Sequence, residues 1–228
     1  MLPVSMKLFL SLMILLGCAG LSASAADAPK PAAAEAAPAI VLFDGKSMDD
    51  WETVDIGGSG SVELDGEQLV INLGESLSGV VYKKSDKLPF TNYEISLEAK
   101  RLQGVDFFVG LTFPINDPKT HLTLVMGGWG GSVTGISSID GMDASENNTG
   151  TFQRFSDDKW YKVVLRVTPK DIVVTLDGKE VINTEIEGKK LGLRPGPMES
   201  YVGLSLTTFQ TTAAIRNMKL TPLPAKKG

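Results

Sequence analysis

The sequence contains one cysteine and one histidine in 228 residues. The cysteine, Cys18, lies near the N-terminus, so the rest of the chain cannot form an internal disulfide, and its hydrophobic core must stabilise it instead. One histidine and one cysteine are too few for a zinc site of the usual His/Cys type. We therefore expect a domain that folds without disulfides or structural zinc.

Other absences narrow the possible functions. No Gly-x-Ser-x-Gly motif is present, and no glycine-rich loop leads from a strand into a helix, which argues against a serine-hydrolase elbow and against a nucleotide-phosphate cradle. The net charge is −5, and no basic stripe interleaved with aromatic residues occurs, so we expect no nucleic-acid partner.

The N-terminus has the pattern of an export signal. Lys7 precedes an apolar run over residues 8–16, and Ala23-Ser24-Ala25 fits a small-x-small cleavage site, which predicts a signal peptide over residues 1–25. The alternative is a lipoprotein signal ending at residue 17, because Leu15-Leu16-Gly17-Cys18 approximates a lipoprotein box. Both predict a periplasmic or extracellular protein, with membrane attachment only if Cys18 is lipidated.

The remaining chain divides by composition. The Ala- and Pro-rich composition of residues 26–38 predicts a linker. We predict one folded domain over residues 39–221 and a flexible tail over residues 222–228.

The sequence of the domain predicts short strands joined by turns. Apolar and polar residues alternate from Tyr93 to Lys100 and from Trp160 to Thr168, the period-2 pattern of strands with one face in the core. Asp65-Gly66 and Asp177-Gly178 are typical of two-residue hairpin loops. Sustained helical periodicity is absent after the leader, so we predict an all-β fold: two antiparallel sheets packed as a jelly-roll sandwich. An immunoglobulin-like sandwich is the alternative.

Several sequence segments are similar to those of a known family. The first segment reads Phe43-Asp44-Gly45-Lys46-Ser47-Met48-Asp49-Asp50-Trp51 and resembles the opening of the bacterial 3-keto-disaccharide hydrolases. The family's later strands resemble residues 160–163, 176–179, 201–204 and 215–220. The resemblance implies a concanavalin A-like lectin/glucanase sandwich, a carbohydrate ligand and hydrolase or lyase action on 3-keto-glycosides.

One stretch departs from the family pattern. Residues 122–129 stand where family members often carry Gly-aromatic-Glu-x-Gln, which removes a glutamate from the middle of the implied site. This departure favours the alternative function, a non-catalytic glycan-binding or cell-surface interaction module on the same sandwich.

Candidate ligand-binding residues are concentrated between His121 and Arg154, and Asp106 and Arg154 flank this region. Trp129 lies among four glycines, which is typical either of an exposed stacking platform for a sugar or of a core side chain with close backbone neighbours. Asn147, Arg154 and Asp106 are the other predicted substrate-binding residues. We expect no cofactor.

The predicted catalytic groups are one histidine and three carboxylates. His121 titrates near neutral pH and suits proton transfer. Asp140, Asp143 and Glu146 are spaced three apart in a polar stretch, and their carboxylates suit general acid and base roles or, alternatively, Ca²⁺ binding. The alternative for this stretch is a solvated loop built around turns. We predict that Trp129, His121 and at least one of the three carboxylates line one cleft or face.

Overall fold

The computed structural model describes residues 38–224. The predicted signal peptide, the lipoprotein box at Cys18, nearly all of the linker and residues 225–228 lie outside the described residues. The first strand begins at Ile40 and the last ends at Pro222. Within residues 38–224, no helix is long and apolar enough to cross a membrane.

The described chain is built from strands with two short 3-10 helices between them, Ser85–Lys87 and Pro197–Tyr201. A further turn at Gly128–Gly131 contains residues with left-handed φ and ψ values. The strands are β1 (Ile40–Phe43), β2 (Trp51–Thr53), β3 (Val62–Asp65), β4 (Gln68–Ile71), β5 (Leu77–Tyr82), β6 (Tyr93–Gly104), β7 (Val109–Ile115), β8 (Asp117–Gly127), β9 (Val133–Ser137), β10 (Thr151–Phe152), β11 (Tyr161–Val167), β12 (Asp171–Leu176), β13 (Lys179–Glu185), β14 (Ser205–Phe209) and β15 (Thr211–Pro222).

The strands form two antiparallel sheets. The eight-stranded sheet has the order β13-β12-β11-β6-β15-β4-β3, with β1 also paired to β15. The seven-stranded sheet has the order β10-β9-β8-β7-β14-β5-β2. The two sheets pack face to face around one apolar core, so the predicted all-β sandwich is confirmed.

Strand β6 shows how the alternating sequence produces this core. Tyr93, Ile95, Leu97 and Ala99 are all buried at the sandwich interface, whereas Glu94, Glu98 and Lys100 are only partly covered on the opposite face. The predicted register is therefore confirmed. Each fully buried Leu or Ile side chain stabilises the fold by about 1.5–3 kcal/mol relative to exposure.

Both predicted hairpins form, with one difference in loop position. Asp177 and Gly178 have φ values of +49° and +81° and connect β12 to β13, as in a type I′ turn. Between β3 and β4, Asp65 still pairs with Gln68, so the loop is Gly66-Glu67, one residue later than predicted. Only Gly66 has a positive φ there, which fits a type II′ turn, whose first loop residue favours glycine.

The seven-stranded sheet is covered on both faces. Its inner face packs on the sandwich core, whereas its outer face carries a second apolar cluster that includes Leu77, Met198 and Tyr201. Met198 and Tyr201 belong to residues 186–204, which connect β13 of the larger sheet to β14 of the smaller one and are called the strap below. The strap and the outer face of the smaller sheet together enclose the site described next.

Candidate functional site

A cleft of about 410 Å³ lies between the strap and the outer face of the seven-stranded sheet. Because neighbouring residues of a strand point to opposite faces, Leu124 and Met126 enter the core while Thr123 and Val125 face the cleft. The floor and walls are mainly apolar, and five polar side chains complete the lining. The lining residues are Ser76, Leu77, Asp106, Phe107, Thr123, Val125, Trp129, Ser137, Arg194, Pro195, Pro197, Met198 and Phe209.

Trp129 is held at the edge of this cleft by an unusual turn. Gly127, Trp129, Gly130 and Gly131 all have positive φ values, with Trp129 at φ +50° and ψ +56°. Glycine adopts this left-handed conformation freely, whereas a residue with a Cβ is strained there. The indole is 39% exposed, so it is a surface group and not a core filler.

Asp106 is the one carboxylate among the lining residues. Its Oδ1 accepts a hydrogen bond from the Phe107 backbone N–H (2.8 Å), and its Oδ2 accepts one from the Gly130 N–H (3.1 Å). Each carboxylate oxygen has a second lone pair that remains for another donor. Asp106 therefore anchors the Trp129 turn and presents an acceptor to the cleft.

Arg194 brings a positive charge to the cleft from the strap. Its Nε lies 3.1 Å from Oδ2 of Asp143, and its guanidinium carbon lies 5.9 Å from the centre of the Trp129 ring. The other Asp143 oxygen accepts a hydrogen bond from Ser138 Oγ (3.1 Å). Since Asp143 occupies Nε, the two terminal amino groups of Arg194 can serve a bound molecule.

The floor beneath these groups is aromatic. Phe107 and Phe209 stack with ring centres 6.1 Å apart, and both face the cleft. Aromatic faces and the adjacent polar groups match the two surfaces of a sugar ring, which has apolar C–H faces and hydroxyl edges.

The predicted catalytic carboxylates do not line the cleft; they lie in the loop that holds the strap. Asp140 Oδ1 accepts the Lys190 N–H (2.9 Å) and its Oδ2 pairs with Lys189 Nζ (3.1 Å). The Lys190 N–H and the Lys189 side chain lower the pKa of Asp140 below its ordinary value. Asp143 reaches the cleft only through Arg194, and Glu146 Oε2 accepts the Asp143 N–H (3.2 Å).

Asn147 is also a structural member of this loop. Its side-chain amide donates to the carbonyls of Ile136 (2.8 Å) and Met142 (3.0 Å), and its Oδ1 accepts from Thr149. It is buried, and it is not part of the cleft lining.

His121 and Arg154 are not among the residues that line the cleft. His121 is 4% exposed, its Nδ1 lies 3.1 Å from the Lys119 carbonyl oxygen, and burial lowers its pKa. Arg154 is exposed just after β10. Of the group predicted to share one cleft or face, Trp129 alone lines the cleft, and Asp106 is the acid that accompanies it there. His121 alternates with Leu122 and so lies on the same face of the sheet as Thr123 and Val125, outside the cleft lining.

The sequence interpretation missed Arg194, Phe107 and Phe209. Arg194 begins the run Arg194-Pro195-Gly196-Pro197, whose prolines and glycine signal an ordered connection with a charge at its start. The two phenylalanines look like ordinary strand residues, and their position on the outer face follows only from the register of the sheet. Among residues 38–224, no group of three or more His, Cys, Asp or Glu side chains is arranged to hold a metal ion.

Solved structures with a similar fold are carbohydrate-related proteins. A proposed glycosyl hydrolase from Parabacteroides distasonis superposes with a TM-score of 0.52 at 14% identity, covering 82% of this chain and 94% of that one. The Crh5 transglycosylase in complex with NAG superposes with a TM-score of 0.54 at 11% identity, covering 82% and 84%. At these identities the likeness shows a shared sandwich fold.

The family assignment rests on the sequence. A search of curated proteins found no match for the chain. Residues 38–221, which include every strand except the last residue of β15, match a known domain family. The chain belongs to the family of 3-keto-alpha-glucoside-1,2-lyase-like domains.

Proposed function

We propose that this chain is an exported carbohydrate-active domain that binds a glycoside in the cleft beneath the strap. The observation that carries the proposal is the exposed Trp129 indole, which lines one cleft together with Asp106, Arg194 and the stacked rings of Phe107 and Phe209. The indole and the floor offer flat apolar surfaces to the C–H faces of a sugar, and the two charged groups can hydrogen-bond its hydroxyl or carbonyl oxygens.

Family membership suggests a 3-keto-glycoside as the ligand and an elimination as the reaction. A ketone at C3 acidifies the proton at C2. When a base removes that proton, its electron pair forms the C1=C2 double bond, the C1–O glycosidic bond breaks, and the leaving alkoxide takes a proton from solvent. This reaction needs one base and one group that stabilises the enolate oxygen.

The cleft offers one residue for each of these roles. Asp106 is the carboxylate that lines the cleft and is our candidate base, and Arg194 is the candidate donor to the C3 oxygen. Both belong to the binding surface, so a sugar stacked on Trp129 would meet both. Hydrolysis through two flanking carboxylates is less well supported, because it needs a second acid in the lining.

A non-catalytic glycan-binding module is the second candidate. Both Asp106 oxygens already accept backbone N–H groups, so a structural role alone accounts for this carboxylate. A module of this kind would use the same Trp129 and Arg194 contacts without bond cleavage.

Export is part of the proposal and rests on the leader sequence. When the full chain is expressed in a bacterium, mass spectrometry of the purified protein should show Ala26 as the first residue if a signal peptidase cuts after Ala25. A diacylglycerol-modified Cys18 would assign the lipoprotein alternative, and an intact N-terminus would contradict export.

Binding and turnover can be separated with purified residues 26–228. We would measure affinity by calorimetry, and enone formation by ultraviolet absorbance, with 3-keto-disaccharides and their parent disaccharides. Trp129→Ala should weaken binding about three- to thirtyfold through the lost aromatic face, whereas Val41→Ala, an exposed position on the other sheet, should have no effect.

The outcomes divide the candidates. The lyase is supported if the wild type binds and turns over the 3-keto-disaccharide, and if Asp106→Asn abolishes turnover but keeps the affinity. Binding without turnover supports the module. Absence of binding, or binding that Trp129→Ala leaves unchanged, would overturn the cleft as the site.

A further inference from the structure

Phe152 is the most exposed large apolar side chain among residues 38–224, with 82% of its surface accessible. It lies in β10, a two-residue strand at the edge of the seven-stranded sheet, next to the strand that contributes Ser137 to the cleft. Single exposed apolar residues are common on proteins, so the position of Phe152 matters more than its exposure.

The strand register places Phe152 on the same face as the cleft. Phe152 pairs with Val133 across β9 and β10, and directly opposed side chains share one face of a sheet. Val133 and Ser137 are four residues apart on one strand, so they also share a face, and Ser137 lines the cleft.

The same register gives the separation of Phe152 from the Trp129 turn. Val133 bridges to Gly128, the residue before Trp129, so Phe152 lies two strand spacings from this turn. Two spacings are about 10 Å, a span longer than one sugar ring. Gln153 also donates its N–H to the Ser132 carbonyl (2.8 Å), which ties the segment after Phe152 to the end of the turn.

We propose that Phe152 forms a second stacking subsite and that the ligand is an oligosaccharide whose chain leaves the cleft past Trp129 and crosses the outer edge of the sheet. The inference rests on the proposed function, since it extends the same cleft. It names the ligand class as a glycan of three or more units, with one ring at Trp129 and a later ring at Phe152. The apolar surface of Phe152 is then covered when the ligand is bound.

A chain-length series tests this. The probes are maltose-series oligosaccharides of two to five units that carry a 3-keto group on the non-reducing residue, with affinity measured by calorimetry on residues 26–228. Wild-type affinity should rise between two and four units. Phe152→Ala should remove that rise, about five- to tenfold for the longer probes, and leave disaccharide affinity unchanged.

Two control variants, together with Trp129→Ala, keep the outcomes distinct. Phe152→Tyr retains an aromatic face and should preserve the rise, whereas Val41→Ala should leave the whole series unchanged. If Phe152→Ala binds the long probes as tightly as wild type, the second subsite is refuted. In that case, a loss of disaccharide affinity in Trp129→Ala would still support the cleft as the binding site. If no probe binds the wild type, both proposals fail.

Discussion

Trp129 adopts a backbone conformation that an aromatic residue rarely occupies. Its φ of +50° lies in the left-handed region, and the neighbouring glycines supply further positive φ values. A residue with a Cβ in this region costs roughly 1–2 kcal/mol, and such strain persists where surrounding contacts maintain it. Here the Gly130 N–H bonded to Asp106 and the Arg194 guanidinium beside the ring are such contacts.

The strain can be measured with two substitutions at position 129. Trp129→Gly and Trp129→Ala both remove the indole, but only alanine keeps a Cβ in the left-handed conformation. We expect the glycine variant to be the more stable by about 1 kcal/mol, the reverse of the usual order in regular secondary structure. Urea denaturation of both variants checks this, and an alanine variant as stable as the glycine variant would contradict the strain.

At the scale of elements, the strap depends on the loop between β9 and β10. Ser138 and Gly192 exchange backbone hydrogen bonds (2.8 and 3.3 Å), the Asp140 N–H donates to the Lys190 carbonyl (2.7 Å), and Asp143 pairs with Arg194. The acidic stretch that suggested catalysis therefore holds one wall of the cleft in place.

Asp143 should act through Arg194. Asp143→Asn removes the charge that orients the guanidinium and should weaken glycoside affinity severalfold with little change in the secondary structure. Glu146→Gln is the matched control, because Glu146 bonds the Asp143 N–H and does not contact Arg194. Calorimetry on both variants checks this, and equal effects of the two substitutions would contradict a positioning role for Asp143.

The attachment of the strap should depend on pH through Asp140. Folding lowers the pKa of this carboxyl below its ordinary value of 3.8, mainly through the Lys190 N–H and then through Lys189. A lowered pKa means that the stabilisation is complete above the unfolded value and is lost as the pH falls through the folded value. Urea midpoints should therefore separate wild type from Asp140→Asn at neutral pH and converge below about pH 4. A gap that stays constant with pH would contradict this coupling.

At the scale of the whole molecule, two sheets share one core that contains no cysteine. Every residue after Cys18 lacks a thiol, so the sandwich is held by apolar packing and backbone pairing. The covered outer face of the smaller sheet adds a second apolar cluster, which makes the strap part of the folded unit.

Reductant should therefore leave the thermal stability unchanged. The Tm of residues 26–228 should be the same with and without dithiothreitol, because no disulfide constrains the unfolded chain. Differential scanning calorimetry checks this, and a lower Tm in reductant would contradict it.

The sequence by itself determined the sandwich, its β6 register, the Asp177-Gly178 hairpin loop and, to within one residue, the loop between β3 and β4. Strand alternation and turn chemistry are local signals. It also indicated Trp129 and Asp106, which flank the ends of β7 and β8 and remain close after folding. The tertiary structure alone decided that Asp140 and Asp143 support the strap, since their partners Lys190 and Arg194 lie about fifty residues away in sequence. The same holds for Phe107, Phe209 and Arg194 in the cleft, because sheet order and the path of the strap depend on contacts that no local pattern encodes.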